Sequence, residues 1–180
     1  MATYQDALLA FNTSDGIEKE VFGFKQEIGS IIGNFPSIHS KAHLTVCYIP
    51  YKEEYYINTI ISFLENRFSD IPPVELNIRG FNYFSQGNNT KTIYAAIESS
   101  NSIKMWFNEL NKHIKIKSTF TPHVTIARST DDERHRLLWP KFKNLEFNDS
   151  FTPTGITVLV RDSLDTSSTY QFNKFLKFKM

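Results

Sequence analysis

The chain has 180 residues, of which 41% are apolar and 22% charged, and its formal net charge is +1. These proportions are typical of a globular chain that buries a core, and the length is that of one domain. A charge so close to zero argues against a protein that binds nucleic acid regardless of sequence through a basic face. It is compatible with a small phosphate ligand or with the end of an RNA strand.

The sequence predicts a cytoplasmic protein. Residues 1–10 lack the basic and long apolar segments of a secretory signal, and no apolar run approaches the ~20 residues that span a bilayer. The single cysteine, Cys47, cannot form an internal disulfide, which fits a reducing compartment. Cys47 follows His43 by four residues and so nominally shares its face. A nucleophilic Cys-His pair is therefore one interpretation, and a reduced core cysteine is the favoured one.

The first half of the chain predicts strand, helix, strand, helix, strand. The apolar run 7–12 predicts a buried strand, and residues 13–15 offer capping oxygens to a following helix. A second helix is predicted over about 51–69 and a strand over 74–84, on either side of two prolines. The apolar stripe of the first helix comprises Ile17, Val21, Phe24, Ile28 and Ile31.

The second half repeats this order. A strand is predicted over 92–98, a helix over about 101–113, a strand at His123, and a helix that opens at 130–133 and stops at Pro140. Closing strands are predicted over 155–161 and 169–178. The repeated order indicates an internal duplication within one domain, 1–180, with lobe-forming repeats of about 1–86 and 87–180.

Two matched motifs occupy the same slot in the two halves. They read His-Leu-Thr-Val at 43–46 and His-Val-Thr-Ile at 123–126. Because side chains alternate along a strand, each histidine shares a face with its threonine, and the aliphatic residues face the core. The other histidines, His39, His113 and His135, lack this pattern and are interpreted as packing residues. We infer that the two halves bring the motifs to one shared cleft.

Paired His-x-Thr segments suit displacement at phosphorus. One neutral imidazole can take a proton from the attacking oxygen, while a protonated imidazole on the opposite side gives a proton to the leaving oxygen. Threonine hydroxyls can hydrogen-bond the non-bridging phosphate oxygens. Neither motif carries a nearby Asp, Glu or second His on its face, and no His-Glu-x-x-His pattern occurs. We therefore expect no metal and no other cofactor.

These motifs resemble the two-histidine (2H) phosphoesterase superfamily, specifically its branch of 2′-5′ RNA ligases and RNA 2′,3′-cyclic phosphodiesterases (LigT-like). The family's mark is a pair of His-x-Thr/Ser-x motifs with hydrophobic x. The second motif here is the fuller match, because Pro122 precedes it and Ala127-Arg128 follow. The resemblance covers essentially the whole chain. It implies an α+β fold of two pseudo-symmetric lobes, with antiparallel sheets lining a central cleft and helices outside.

The resemblance also implies an activity and its residues. It implies an enzyme that opens 2′,3′-cyclic phosphates of RNA ends or small nucleotides, with His43 and His123 as the acid/base pair. Thr45 and Thr125 become ligands of the phosphate oxygens. Arg128 matches the family's trailing arginine, although strict alternation puts it on the opposite face from His123 unless the strand twists or ends. A surface arginine is an equal interpretation for Arg128.

Other contacts and other functions stay open at this stage. Lys41 is a further candidate phosphate contact, Tyr48 is out of phase with His43, and no obligate protein partner is evident. Aromatic side chains could form a base-stacking platform, but core packing is favoured for any one ring. The alternative functions are cleavage or joining of 2′-5′ linkages, and a non-catalytic nucleotide- or RNA-binding module. The near-neutral charge favours small cyclic nucleotides, short oligonucleotides or RNA termini over long RNA.

Overall fold

The structure is a computed structural model that describes residues 3–87, 89–114 and 121–178. Eight strands and four helices occur within these ranges. In chain order they are β1 (Tyr4–Asn12), α1 (Asp15–Ile32), β2 (His43–Glu53), α2 (Glu54–Phe68), β3 (Leu76–Gln86), β4 (Thr90–Ile97), α3 (Asn101–Asn111), β5 (His123–Thr130), α4 (Asp132–Phe142), β6 (Asn148–Phe151), β7 (Gly155–Asp162) and β8 (Gln171–Lys177). No helix within the described ranges has the length and apolarity needed to cross a membrane.

The strands form two four-stranded antiparallel sheets. The first sheet has the order β2-β1-β7-β8 and the second β5-β4-β3-β6. The two histidine strands, β2 and β5, are each the edge strand of their sheet, and they contact one another. This arrangement confirms the predicted bilobal α+β fold with a central cleft. Each sheet also draws strands from both halves of the chain, because β3 lies in the second sheet and β7 and β8 lie in the first.

Helices cover the back of each sheet and leave the front to the cleft. Phe24 of α1 packs against Phe81, Phe142 and Phe147, with ring centroids 5.2, 6.0 and 5.3 Å away. Thus α1, from the first half of the chain, contributes to the core behind the second sheet. Burying an aromatic side chain of this size stabilises the fold by roughly 1.5–3 kcal/mol.

A helix from the second half packs behind the first sheet in the same way. The rings of Trp106 and Phe107 in α3 lie 5.4 and 6.4 Å from Phe11 of β1. Phe178 also contacts Phe11, at 6.0 Å between centroids. The two lobes are therefore joined by helices that pack across them as well as by the cleft strands.

Three details differ from the sequence prediction. Strand β2 runs on to Glu53, so α2 begins later than predicted. Pro140 lies inside α4 instead of ending it. A proline in a helix removes one hydrogen bond, but Leu138 and Phe142, 0% and 1% exposed, pack against the core and hold that turn. The short, polar strand β6 was not predicted, since four residues show no usable periodicity.

Candidate functional site

A β-bulge interrupts β2 directly after its motif. Thr45 pairs with Ala10 of β1, whereas Cys47 pairs with Leu9. Two steps along β2 therefore match one step along β1, and Val46 is the inserted residue. Such a bulge changes which face the following side chains occupy.

The bulge moves Tyr48 to the face of the motif. Tyr48 pairs with Leu8, which lies two residues from Ala10 on the same face of β1. Tyr48 is thus in phase with Thr45, and the prediction that it is out of phase was wrong. Cys47, in contrast, turns toward the core, where burial raises the pKa of its thiol. A thiol in that position does not suit a nucleophilic Cys-His pair, so the core interpretation of Cys47 is confirmed.

The second motif has a bulge at the same position. Thr125 pairs with Tyr94 of β4, while Ala127 pairs with Ile93. Ile126 is therefore the inserted residue in β5, as Val46 is in β2. The matched bulges are a second likeness between the motifs that alternation alone does not reveal.

This bulge brings Arg128 to the face of its motif. With Ala127 opposite Ile93, Arg128 falls on the same face as Thr125 and His123. The positive charge of Arg128 lowers the pKa of both His43 and His123, which places its guanidinium near both rings. The face predicted for Arg128 from strict alternation was therefore wrong. Arg128 and Tyr48 occupy equivalent positions, each five residues after its histidine.

Both histidines are held in the same tautomer by the same bond. Nδ1 of His43 lies 2.8 Å from the carbonyl oxygen of Lys41, and Nδ1 of His123 lies 2.7 Å from that of Thr121. Because a carbonyl only accepts, each Nδ1 carries the proton and donates it. The lone pair of the neutral ring is then on Nε2, which is available to exchange a proton with a ligand.

The pKa values of both histidines lie below the ordinary value. Burial is the largest cause for each, and it outweighs the backbone hydrogen bonds, which act in the opposite direction. The pKa of His43 is lowered further by the charges of Lys25, His123 and Arg128. Protonation of His123 therefore disfavours protonation of His43.

A buried lysine, which sequence analysis missed, supports the loop before β2. Lys25 of α1 is 1% exposed, and its Nζ donates to the backbone oxygen of Ser40 at 2.6 Å and to its Oγ at 2.9 Å. Burial lowers the pKa of Lys25 to about 8, although the nearby Glu18 opposes this. Lys25 belongs to the buried stripe of α1 with Ile17, Val21 and Ile28, whereas Ile31, which was predicted for that stripe, is 43% exposed. Lys25 follows Val21 by four residues and precedes Ile28 by three, and this helical spacing was the sequence signal for its burial.

The same loop connects the two lobes beside the motifs. Ser40 Oγ donates to the oxygen of Ser37 at 2.9 Å. Ser37 Oγ in turn accepts from the backbone N–H of Arg128 at 3.0 Å and lies 3.4 Å from the oxygen of Ile126. Hydrogen bonds therefore run from α1 through the loop to the bulge of β5. Lys41, the residue after Ser40, supplies the backbone carbonyl that orients His43.

The histidine titration gives a first test of this geometry. We expect both ring pKa values, followed by the Cε1–H resonances in NMR spectra, to lie below the ordinary 6.5. Because Lys25 adds positive charge near His43, Lys25→Met should raise the pKa of His43. The exposed Lys19 on the same helix gives the matched control, Lys19→Met, which should leave both values unchanged. Midpoints above 6.5 for both rings in the unaltered protein would contradict the burial argument.

Aromatic side chains surround His123. The rings of Phe84 and Tyr94 lie 5.2 and 5.1 Å from the imidazole, and 5.2 Å from each other. Their packing restricts the orientation of His123 and contributes to the burial that lowers its pKa. Both rings come from β3 and β4 of the second sheet.

A second polar cluster lies farther along the front of the first sheet. The carboxylate of Asp6 is 8% exposed and accepts from Arg161 Nε and Nη2 at 2.9 and 2.8 Å, and from Ser163 Oγ at 2.8 Å. Burial alone would raise the pKa of Asp6, but these bonds and one from the Tyr51 N–H bring that pKa to about 2. Sequence analysis missed the cluster because β1 and β7 lie at opposite ends of the chain.

The remaining candidates are placed as follows. The side chain of Lys41 is exposed, and its backbone oxygen makes the contact to His43. His113 packs against Phe68, and His135 lies 4.5 Å from the Tyr83 ring, as expected of packing residues. His39 is exposed, so the prediction that it packs was wrong. In the part of the chain that the structure describes, no three His, Cys, Asp or Glu side chains cluster as metal ligands would.

Comparison with known proteins identifies the family. The family model of the 2′-5′ RNA ligase superfamily matches residues 36–165, a span that includes both motifs. The chain belongs to this superfamily. An RNA 2′,3′-cyclic phosphodiesterase of Thermotoga maritima is 26% identical over 91 residues, which are 48% of this chain and 49% of that protein. By that alignment, the chain spans about half the length of the curated relative it matches.

Solved structures agree with the family in fold. A crystal structure from Thermus thermophilus has a TM-score of 0.70 at 14% identity, covering 97% of this chain and 98% of that one. The E. coli LigT structure complexed with 3′-AMP has a TM-score of 0.69 at 15% identity, covering 99% of this chain and 100% of that one. This member of the 2′-5′ RNA ligase superfamily thus has the fold of LigT over nearly its whole length.

Proposed function

We propose that this protein is a phosphodiesterase that opens 2′,3′-cyclic phosphates of RNA ends or small nucleotides without a metal ion. The observation that carries the proposal is the matched state of His43 and His123. Each donates from Nδ1 to a carbonyl, keeps Nε2 free, and lies beside a threonine on one of two neighbouring edge strands. Such a pair supplies a base and an acid to one phosphate between them.

The reaction follows from that arrangement. The neutral histidine of the pair takes a proton through Nε2 from a water, whose oxygen forms a bond to phosphorus. The bond from phosphorus to the 3′ oxygen breaks, and the protonated histidine gives that oxygen its proton. The product is a 2′-phosphate with a free 3′ hydroxyl, and the two histidines have exchanged protonation states.

Neighbouring side chains stabilise the charge on phosphorus. The hydroxyls of Thr45 and Thr125 share the faces of their histidines and can donate to the non-bridging oxygens. Arg128 adds a planar guanidinium that can donate two parallel hydrogen bonds to a phosphate. We assign to Lys41, which is exposed at the end of the loop before β2, a contact with a more distant phosphate.

The comparisons support this choice of substrate. The Thermotoga maritima relative is named an RNA 2′,3′-cyclic phosphodiesterase, and LigT was crystallised with 3′-AMP. The near-neutral charge of this chain suits a substrate recognised at one terminal phosphate. Cleavage or joining of 2′-5′ linkages is the second candidate, which the family description favours. Joining is the same displacement with a 5′ hydroxyl in place of water as the attacking group, and cleavage of the 2′-5′ linkage is its reverse.

The direct test is hydrolysis of 2′,3′-cyclic mononucleotides and of a short RNA ending in a cyclic phosphate, with EDTA present. We expect turnover that EDTA does not reduce and a product that carries its phosphate at the 2′ position. Loss of turnover in EDTA, restored by added metal, would contradict the metal-free mechanism. Turnover of 2′-5′-linked oligonucleotides alone would favour the second candidate. Binding without turnover of any substrate would favour the RNA-binding module.

A further inference from the structure

The front of the first sheet carries aromatic side chains that the proposed chemistry does not use. Strand pairing arranges this face in rows that run from β2 across β1 and β7 to β8. One row begins at Thr45 and ends at Phe175, and the next begins at Tyr48 and ends at Phe172. We call Tyr48, Phe172 and Phe175 the aromatic platform.

A third bulge places both phenylalanines on this face. Phe172 pairs with Leu159, whereas Lys174 pairs with Val158, so one extra residue lies between them in β8. Lys174 reaches Glu65 of α2 behind the sheet at 2.6 Å. Its neighbour Phe175 therefore points to the front, and the bulge brings Phe172 into phase with it.

The platform rings are exposed. Tyr48 is 49% exposed, Phe172 67% and Phe175 40%. A single exposed ring is ordinary on a protein surface. Three rings aligned on one sheet face, beside a cleft, are typical of surfaces on which unpaired bases stack.

The platform is continuous with the candidate catalytic site. A Cβ placed on Gly155 would lie 2.7 Å from Cζ of Phe175, so that ring lies over the glycine. Gly155 lies on the same face as Thr157 and pairs with Lys177, two residues along β8 from Phe175. From Thr45 to Phe175 the row crosses three inter-strand spacings, about 14 Å. That length equals about four stacked nucleotides at ~3.4 Å each.

The charges on this face suit a polyanion. Lys177 pairs with Gly155 and lies on the same face as Phe175. The carboxylate of Asp6 is engaged by the Arg161 guanidinium. Tyr48 lies on the same face as Asp6, whose pKa it helps to lower. An approaching phosphate backbone therefore meets a cation and a neutralised ion pair on these rows.

We propose that the aromatic platform binds the unpaired bases of a single-stranded oligoribonucleotide whose terminal cyclic phosphate lies between His43 and His123. This inference rests on the proposed function and narrows its substrate from any cyclic nucleotide to a short RNA end. On this proposal, a cyclic mononucleotide occupies only the site between His43 and His123. Nucleotides further from the cyclic phosphate end of an oligonucleotide reach Phe175 and Phe172.

The first experiment measures preference for length. We expect kcat/KM to be higher for a tetranucleotide ending in a 2′,3′-cyclic phosphate than for the corresponding cyclic mononucleotide. Phe172→Ala and Phe175→Ala should each reduce the ratio of these values about ten-fold, as removal of a stacking ring does. Phe172→Trp should retain the ratio, and Phe172→Leu should not, because leucine keeps apolar area without a π face. Phe22→Ala, at a ring 54% exposed on α1, is the matched control.

A second experiment separates this proposal from the proposed function. Fluorescence anisotropy of a labelled single-stranded tetranucleotide with a 3′-phosphate reports binding whether or not turnover occurs. We expect binding that Phe172→Ala weakens about ten-fold and that Phe22→Ala leaves unchanged. Binding with this pattern but no hydrolysis would overturn the proposed activity and keep the platform. Hydrolysis of mononucleotides with no effect of either phenylalanine variant on the ratio or on binding would overturn the platform.

Discussion

Alanine at either His43 or His123 is expected to lower kcat on a cyclic-phosphate substrate by about 10²-fold or more, the scale of general acid–base catalysis. In the proposed mechanism, each ring supplies one of the two proton transfers through its Nε2. The double variant should lose little more than either single variant, because residues that act as a unit are not additive. Steady-state turnover of a 2′,3′-cyclic nucleotide measures these effects.

Controls distinguish catalysis from folding. His39→Ala alters an exposed histidine of the loop before β2 and should leave turnover unchanged. Binding of a nucleoside monophosphate should persist in His43→Ala and His123→Ala, because in the proposed mechanism Thr45 and Thr125 contact the phosphate. Wild-type turnover in either alanine variant would refute the paired-histidine mechanism.

The second large effect concerns Arg128. We expect Arg128→Gln to lower kcat by about 10²-fold, since loss of one donor to the charged transition state has this magnitude. Arg128→Lys should recover part of the loss, because it restores the charge without the planar fork. Arg67→Gln, which alters an exposed arginine in the last turn of α2, is the control.

The pH profile gives Arg128 a second readout. Its charge lowers the pKa of both histidines, so removing it should raise both values. A reaction that needs one neutral and one protonated imidazole is fastest between the two pKa values. The optimum of kcat/KM should therefore lie below pH 6.5 in the unaltered protein and move to higher pH in Arg128→Gln. An unchanged optimum would show that Arg128 does not act near the histidines.

The sequence by itself determined the central features of the site. His43 and Thr45, like His123 and Thr125, precede their bulges, so the period of two placed each pair correctly. The repeated order of elements and the motifs led to the bilobal α+β fold and to the family. Local periodicity was sufficient for the faces of these side chains, because the face of a side chain before the bulge depends on only a few consecutive residues.

Tertiary structure determined on which face of the sheet the residues after each motif lie. Tyr48, Cys47 and Arg128 each follow a bulge, and an inserted residue reverses alternation without leaving a signal in composition. Membership of the sheets was also set by long-range pairing, which put β3 in the second sheet and β7 and β8 in the first.

The contacts that support the candidate site join residues far apart along the chain, so local sequence patterns could not predict them. Ser37 and Arg128 are 91 residues apart, and Asp6 and Arg161 are 155 apart. Lys25 is buried because its ammonium finds two oxygens of Ser40, and a lysine without such partners would stay in water. Periodicity can indicate the face that a side chain occupies. The partner that makes burial of a charge favourable is brought to it only by the folded chain.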